Sequence, residues 1–143
     1  MSPSKRLKPV QQFAATKERN AARSMGQARR HLAEEEAKLE QLRQYHQEYL
    51  TRFQQTASSG ISAAQLQEYR AFLAKLDEAI RQQEKVVATS MANHSSRKDD
   101  WKQKHTRTQA LGKVVERYRQ QELKDEDRKE QKANDEHNSR SKK

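Results

Sequence analysis

The sequence predicts an all-α fold, a long antiparallel two-helix coiled-coil hairpin in the form of a rod. Three observations carry this. Apolar residues recur with a 3,4 spacing along most of the chain. One sharply marked turn interrupts them near residue 60. Only 31% of the 143 residues are hydrophobic while 35% are charged. Globular domains hold about 45–50% apolar residues, so a compact core would be hard to fill. A two-helix seam needs only about two apolar residues in seven. Three Gly and two Pro among many Ala, Glu, Lys, Arg and Gln favour helix over disorder.

The first helix is predicted over residues 9–56, behind a basic flexible stretch at 1–8. Pro9 suits the first helical position, where a missing N–H costs nothing. Its seam reads Met25, Ala28, Leu32, Glu35, Leu39, Leu42, His46, Tyr49 and Phe53. Ahead of Met25 the phase is left open, because Val10 and Phe13 do not continue it, and a stutter there would locally unwind the supercoil. The turn is 57–62. Gly60 supplies the left-handed residue that ends a helix. Ser62-Ala63-Ala64-Gln65 forms a capping box, flanked by Ile61 and Leu66 as a hydrophobic staple.

The second helix is predicted over 62–123. Its seam runs from Leu66, Tyr69, Leu73, Leu76, Ile80, Gln83 and Val87 through a polar middle to Trp101, Thr108, Leu111, Val115 and Tyr118. Trp101 lies two heptads beyond Val87, so the phase is kept and one helix is favoured over a break near Ser95 and Ser96. A short connection makes the helices antiparallel neighbours, with Leu39 near Ile80 and Leu32 near Val87. Counted this way, the second helix outruns the first. Leu111, Val114, Val115 and Tyr118 then form an overhang with no partner in the chain. Residues 124–143 have one apolar residue, Ala133, and are expected to fray or be disordered.

Several function classes are excluded. No run approaches the roughly 20 apolar residues of a membrane span, and no apolar segment follows the basic N-terminus as a secretory signal would require. No Cys is present, so disulfides and thiolate metal sites are out. The five His have no second His at helical spacing, and no phosphate loop or nucleophile–base set occurs. The chain is expected to be no enzyme and to hold no metal or cofactor. The net charge of +10 is mostly interleaved with acids, as on a solvated helix surface. Nucleic-acid binding is not expected, because the basic N-terminal stretch is poor in stacking aromatics.

One feature exceeds what a seam requires. With Leu66, Leu73, Ile80 and Val87 at heptad position a, residues Phe72, Ala79 and Val86 fall at g, and so does Tyr45 in the first helix. In an antiparallel pair the two g rows share one side, beside the d row. Leu42, Tyr45, Tyr49, Phe72, Leu76 and Ala79 thus form one apolar edge near the turn, with the chemistry of a partner site.

At this edge the sequence resembles a known family. Tyr45-His46-Gln47-Glu48-Tyr49, Gly60-Ile61, Tyr69-Arg70-Ala71-Phe72 and Leu76-Asp77-Glu78-Ala79-Ile80 are similar to the flagellar export protein family FliJ. Ala21-Ala22-Arg23 and Arg29-Arg30 fit as well. The resemblance implies an adaptor and chaperone of the flagellar type III export apparatus, built like the central stalk of a rotary ATPase. It implies three partners: the ring of the export ATPase FliI, the cytoplasmic domain of the gate protein FlhA, and export chaperones. It places the gate-binding edge on Leu42, Tyr45, Tyr49, Phe72, Leu76 and Ala79. It also implies a cytoplasmic protein held peripherally at the inner membrane, touching the membrane only through partners. The overhang, Leu111, Val114, Val115 and Tyr118, would face the ATPase. The rival readings are the stalk of a virulence-type injectisome, and a basic coiled coil that binds nucleic acid or tethers.

Overall fold

The structure, a computed structural model, describes residues 1–141. Among them are two helices, α1 (Pro3–Ser58) and α2 (Ala63–Ser141), and no strand. They divide into two compact units, each holding a stretch of both helices. The turn unit is Arg23–Asp99, and the terminal unit is Met1–Ala22 with Asp100–Lys143.

The turn is built as its residues dictate. Gly60 takes φ 90°, a left-handed value that a side chain would oppose. The last turn of α1 tightens, with Ser59 N–H bonded to the Thr56 carbonyl at 3.1 Å and Gly60 N–H to that of Ala57 at 3.2 Å. Ser62 then caps α2 reciprocally. Its Oγ accepts from Gln65 N–H at 3.2 Å, and Gln65 Oε1 accepts from Ser62 N–H at 3.1 Å.

In the turn unit the helices run antiparallel. Gln83 on α2 reaches Glu35 on α1, and Tyr69 reaches Tyr49 and Phe53 nearer the turn. Ala28, Leu39 and Leu76 are buried, while Leu32, Leu42, Leu73, Ile80 and Val87 are half-buried between them. Glu35 and Ser90 are buried polar members of the same seam. Gln83 Nε2 donates to the Glu35 carboxylate at 2.6 Å and to its carbonyl at 3.0 Å, and Lys38 Nζ adds a contact at 3.1 Å. The hydrogen bond from Gln83, then that from Lys38, holds the Glu35 carboxyl below the usual carboxylate range. A buried charge so satisfied fixes register more than it stabilises.

The terminal unit is antiparallel too, and here several expectations are corrected. Ala14, Ala21 and Val115 are buried, with Leu7, Gln11 and Glu18 half-buried at the same spacing. The 3,4 phase therefore continues along α1 to Leu7, and there is no stutter. Small and polar residues fill the seam ahead of Met25, while the large Val10 and Phe13 sit outside it, 41% and 62% exposed. That inversion of size and burial hid the phase.

The helix bounds differ for related reasons. Pro3, not Pro9, is the first helical residue, and the Ser2 carbonyl accepts from Arg6 N–H at 3.0 Å. Pro9 lies inside α1 on an exposed face. α2 runs unbroken through Ser95 and Ser96 and on through 124–141, where the chain is helical and exposed. That stretch has no Gly or Pro to stop a helix and is rich in Glu, Lys and Arg. Of the tail expected to fray or be disordered, residues 142 and 143 lie outside the described residues.

The overhang is corrected most directly. Ser4 donates to the Glu122 carboxylate through N–H at 3.1 Å and Oγ at 2.7 Å, and the Thr108 hydroxyl lies 3.4 Å from the Ala14 carbonyl. Since α1 reaches Pro3, residues 111–122 have a partner helix.

Candidate docking edge

The edge beside the turn follows from heptad geometry in the turn unit. Tyr45 on α1 and Phe72 on α2 meet edge-to-face, with centroids 6.0 Å apart and planes at 72°. Tyr49 lies 4.3 Å from Phe72 and 5.3 Å from Tyr69, and Tyr69 is 5.3 Å from Phe53. Five rings thus form one continuous array. Edge-to-face and offset pairs of this kind contribute about 0.5–1.5 kcal/mol each beyond area burial.

The six predicted edge residues are not equivalent. Tyr45 is 48% exposed and offers its ring to solvent. Leu42, Tyr49, Phe72 and Ala79 are half-buried, and Leu76 is buried at 7%. Leu76 therefore supports the edge from the seam and has little surface of its own. Position d faces the opposite helix, and that geometry removes it from view. Val86 extends the α2 g row with 40% exposure; its place in that row is the signal that could have added it. Lys38 and Gln83, which flank the edge, are engaged with Glu35.

Polar pairs frame the array. His46 Nε2 lies 2.9 Å from Asp77, and Arg43 lies 3.6 Å from Glu84. Both pairs cross between the helices at a partly solvated surface, where such contacts are worth little. Glu78 pairs with Arg81 along α2, and that hydrogen bond holds its carboxyl below the usual range. No His, Cys, Asp or Glu triad converges among the described residues. What the arrangement can do is present aromatic surface on a stiff backbone.

The other predicted site lies in the terminal unit. Val115 is buried and Leu111 half-buried, so both belong to the seam. Val114 and Tyr118 keep 37% and 41% exposure. Only those two remain available as surface.

A family model described as flagellar FliJ protein matches residues 3–142. The chain belongs to the FliJ family. It is thereby associated with the flagellar type III export apparatus and its components. No curated protein and no solved structure gives a significant match. In this FliJ-family chain no helix among the described residues is long and apolar enough to cross a membrane.

Proposed function

We propose that the chain is a two-ended adaptor and chaperone of flagellar export, working by contact and without chemistry of its own. The turn-unit edge docks on the cytoplasmic domain of the gate protein FlhA, using Tyr45 with Leu42, Tyr49, Phe72 and Ala79 over the buried Leu76. The terminal unit engages the ring of the ATPase FliI, with Val114 and Tyr118 among its exposed apolar residues. Export chaperones are further partners. ATP hydrolysis belongs to the ring, and the chain links ring to gate at the inner membrane.

The observation that supports this reading most is Tyr45, half-exposed against Phe72 outside the seam. Exposed aromatic rings on a rigid support are typical interface anchors. The test is titration of the gate domain with Tyr45→Ala, Phe72→Ala and the double variant. Binding should weaken at least tenfold in the double variant, about 1.4 kcal/mol or more, with helix content unchanged. Unchanged affinity would remove the edge from the gate interface. Loss of helix as severe as that caused by Leu39→Ala would make the rings structural.

A further inference from the structure

The terminal unit's exposed apolar surface extends beyond Val114 and Tyr118 to residues of α1. Phe13 is its most exposed ring, at 62%, with Val10 beside it at 41%. Both lie outside the seam, which this unit fills with alanine. Cations surround them. Lys17 Nζ sits 4.6 Å over the Phe13 ring. Lys104 and Arg107 on α2 share with Val10 and Phe13 the rim of one small hollow of about 20 Å³. Arg6, exposed, lies one helical turn before Val10 on α1.

Acids are nearly absent from this face. Glu18 is the sole acid in Met1–Ala22, and it turns to the seam, where His105 Nδ1 lies 2.6 Å from its carboxylate. Asp100 is held by Lys104 at 3.5 Å.

We infer that this edge, formed by Val10 and Phe13 within a ring of Arg6, Lys17, Lys104 and Arg107, docks directly on an anionic phospholipid surface. Phe13 and Val10 are the most exposed apolar side chains of this edge, so they are the parts that insert. A protein partner must offer a socket shaped for Phe13, whereas a lipid interface yields to any wedge. Phe and Val enter the boundary between headgroups and acyl chains while Lys and Arg stay at headgroup level. The charge balance selects anionic lipid, which attracts each cation near the surface. Sequence alone led to a chain that meets the membrane only through partners. The edge adjoins the surface assigned to the ring, since Arg6 and Tyr118 line one hollow, so lipid and ring compete for it. Vesicle binding is read without the ATPase, and failure of the ring contact would leave it standing.

The test is co-sedimentation of the full chain with vesicles. One set is phosphatidylcholine alone, and the other is phosphatidylcholine and phosphatidylglycerol in equal parts. The chain should pellet with the anionic vesicles only, less as salt rises. Phe13→Ala should lower partition roughly tenfold. Lys17→Glu and Arg107→Glu should each lower it about fivefold or more. Arg128→Glu with Lys129→Glu, on the exposed α2 extension, should change it little. Circular dichroism should show equal helix in all variants, and the exposed position of Phe13 makes that the natural outcome. No pelleting with anionic vesicles overturns the proposal. So does a drop as large from the α2 extension variant as from the edge variants, since that marks unspecific charge. Binding to duplex DNA or an acidic polypeptide through the same residues, without vesicle binding, would assign the edge to a polyanion and overturn the lipid reading.

Discussion

The turn unit fills its seam with leucine and flanks it with aromatic rings; the terminal unit, on the same 3,4 spacing, fills its seam with alanine and polar pairs. Leu39 and Leu76 are the buried large residues of the first, and Ala14, Ala21 and Val115 are the buried apolar residues of the second. Polar cross-helix contacts occur in both units, Gln83–Glu35 and His46–Asp77 among those of the turn unit, but the ring contacts belong to the turn unit. Rings meet rings near the turn, whereas Ser4–Glu122, Glu18–His105 and Thr108–Ala14 hold the terminal unit. Heptad spacing fixes where two helices touch, but side-chain volume fixes how much apolar area the contact removes from water. The comparison teaches that one repeat can yield a unit rich in large apolar contacts and one that relies more on small residues and hydrogen bonds.

The largest expected effect tests that division. Leu39→Ala should destabilise the turn unit by about 2–5 kcal/mol, as for a large buried aliphatic residue. Val115→Ala removes less and should cost the terminal unit only about 1–2 kcal/mol, at ~0.8 kcal/mol per buried carbon. Hydrogen exchange resolved by segment reads both, and a larger effect from Val115 would reverse the ranking of the units.

A gain should come from Pro9. Within α1 it cannot donate to the Lys5 carbonyl, which leaves one helical bond unmade. Pro9→Ala should stabilise the start of the terminal unit by up to about 3 kcal/mol, seen as slower exchange over residues 5–12. If exchange there quickens, the helix begins at Pro9 and the proline was its cap.

Acid should separate the units next. Glu18 is held below the usual carboxylate range by hydrogen bonds from His105 and then Thr108, and Glu122 by those from the Ser4 side chain and then its backbone. Glu35 is the corresponding carboxylate in the turn unit. A lowered folded-state pKa means the contribution is complete above the ordinary carboxylate value and is lost as pH falls through the lowered one. Two such cross-helix carboxylates stand in the terminal unit and one in the turn unit. Acidification should therefore raise exchange in residues 4–22 and 100–122 before residues 25–95. Simultaneous opening of both would show that these carboxylates do not set acid stability.

Most of the turn unit was legible because its signals are local and redundant. Gly60, the Ser62–Gln65 box and the repeated Leu and Tyr all point to one register. The edge was legible too, since g positions are fixed once a and d are known. Leu76 misled because it was grouped with the edge by helix surface, while the opposite helix covers it. The terminal unit was harder. Its seam residues Gln11, Ala14, Glu18 and Ala21 are small or polar, and its bulkiest apolar side chain, Phe13, faces out. A reading guided by large apolar residues follows Val10 and Phe13 and loses the phase. Losing it shortened the first helix and created an overhang that Ser4 and Glu122 close. The helix of the tail was not foreseen for another reason: absence of apolar residues signals absence of packing, which need not mean absence of helix.

The smallest effect asks whether the units differ in backbone as well as in packing. Each has one helical glycine, Gly26 in the turn unit and Gly112 in the terminal unit, and a Cβ added at either meets nothing within 4 Å. Both are half-buried, with ordinary helical backbone. Alanine should then lower the conformational entropy of the unfolded chain without strain in the folded one, a gain of about 0.5–1 kcal/mol at each site. The gain arises from the local backbone, so it should be equal in the two units even though their seams differ. Segment-resolved exchange of Gly26→Ala and Gly112→Ala measures it. Equal gains would confine the difference between the units to side chains. A gain at Gly26 with a loss at Gly112 would mean that the terminal unit needs a bare backbone at that position, and that its helices approach there more closely than the open space around Gly112 allows for.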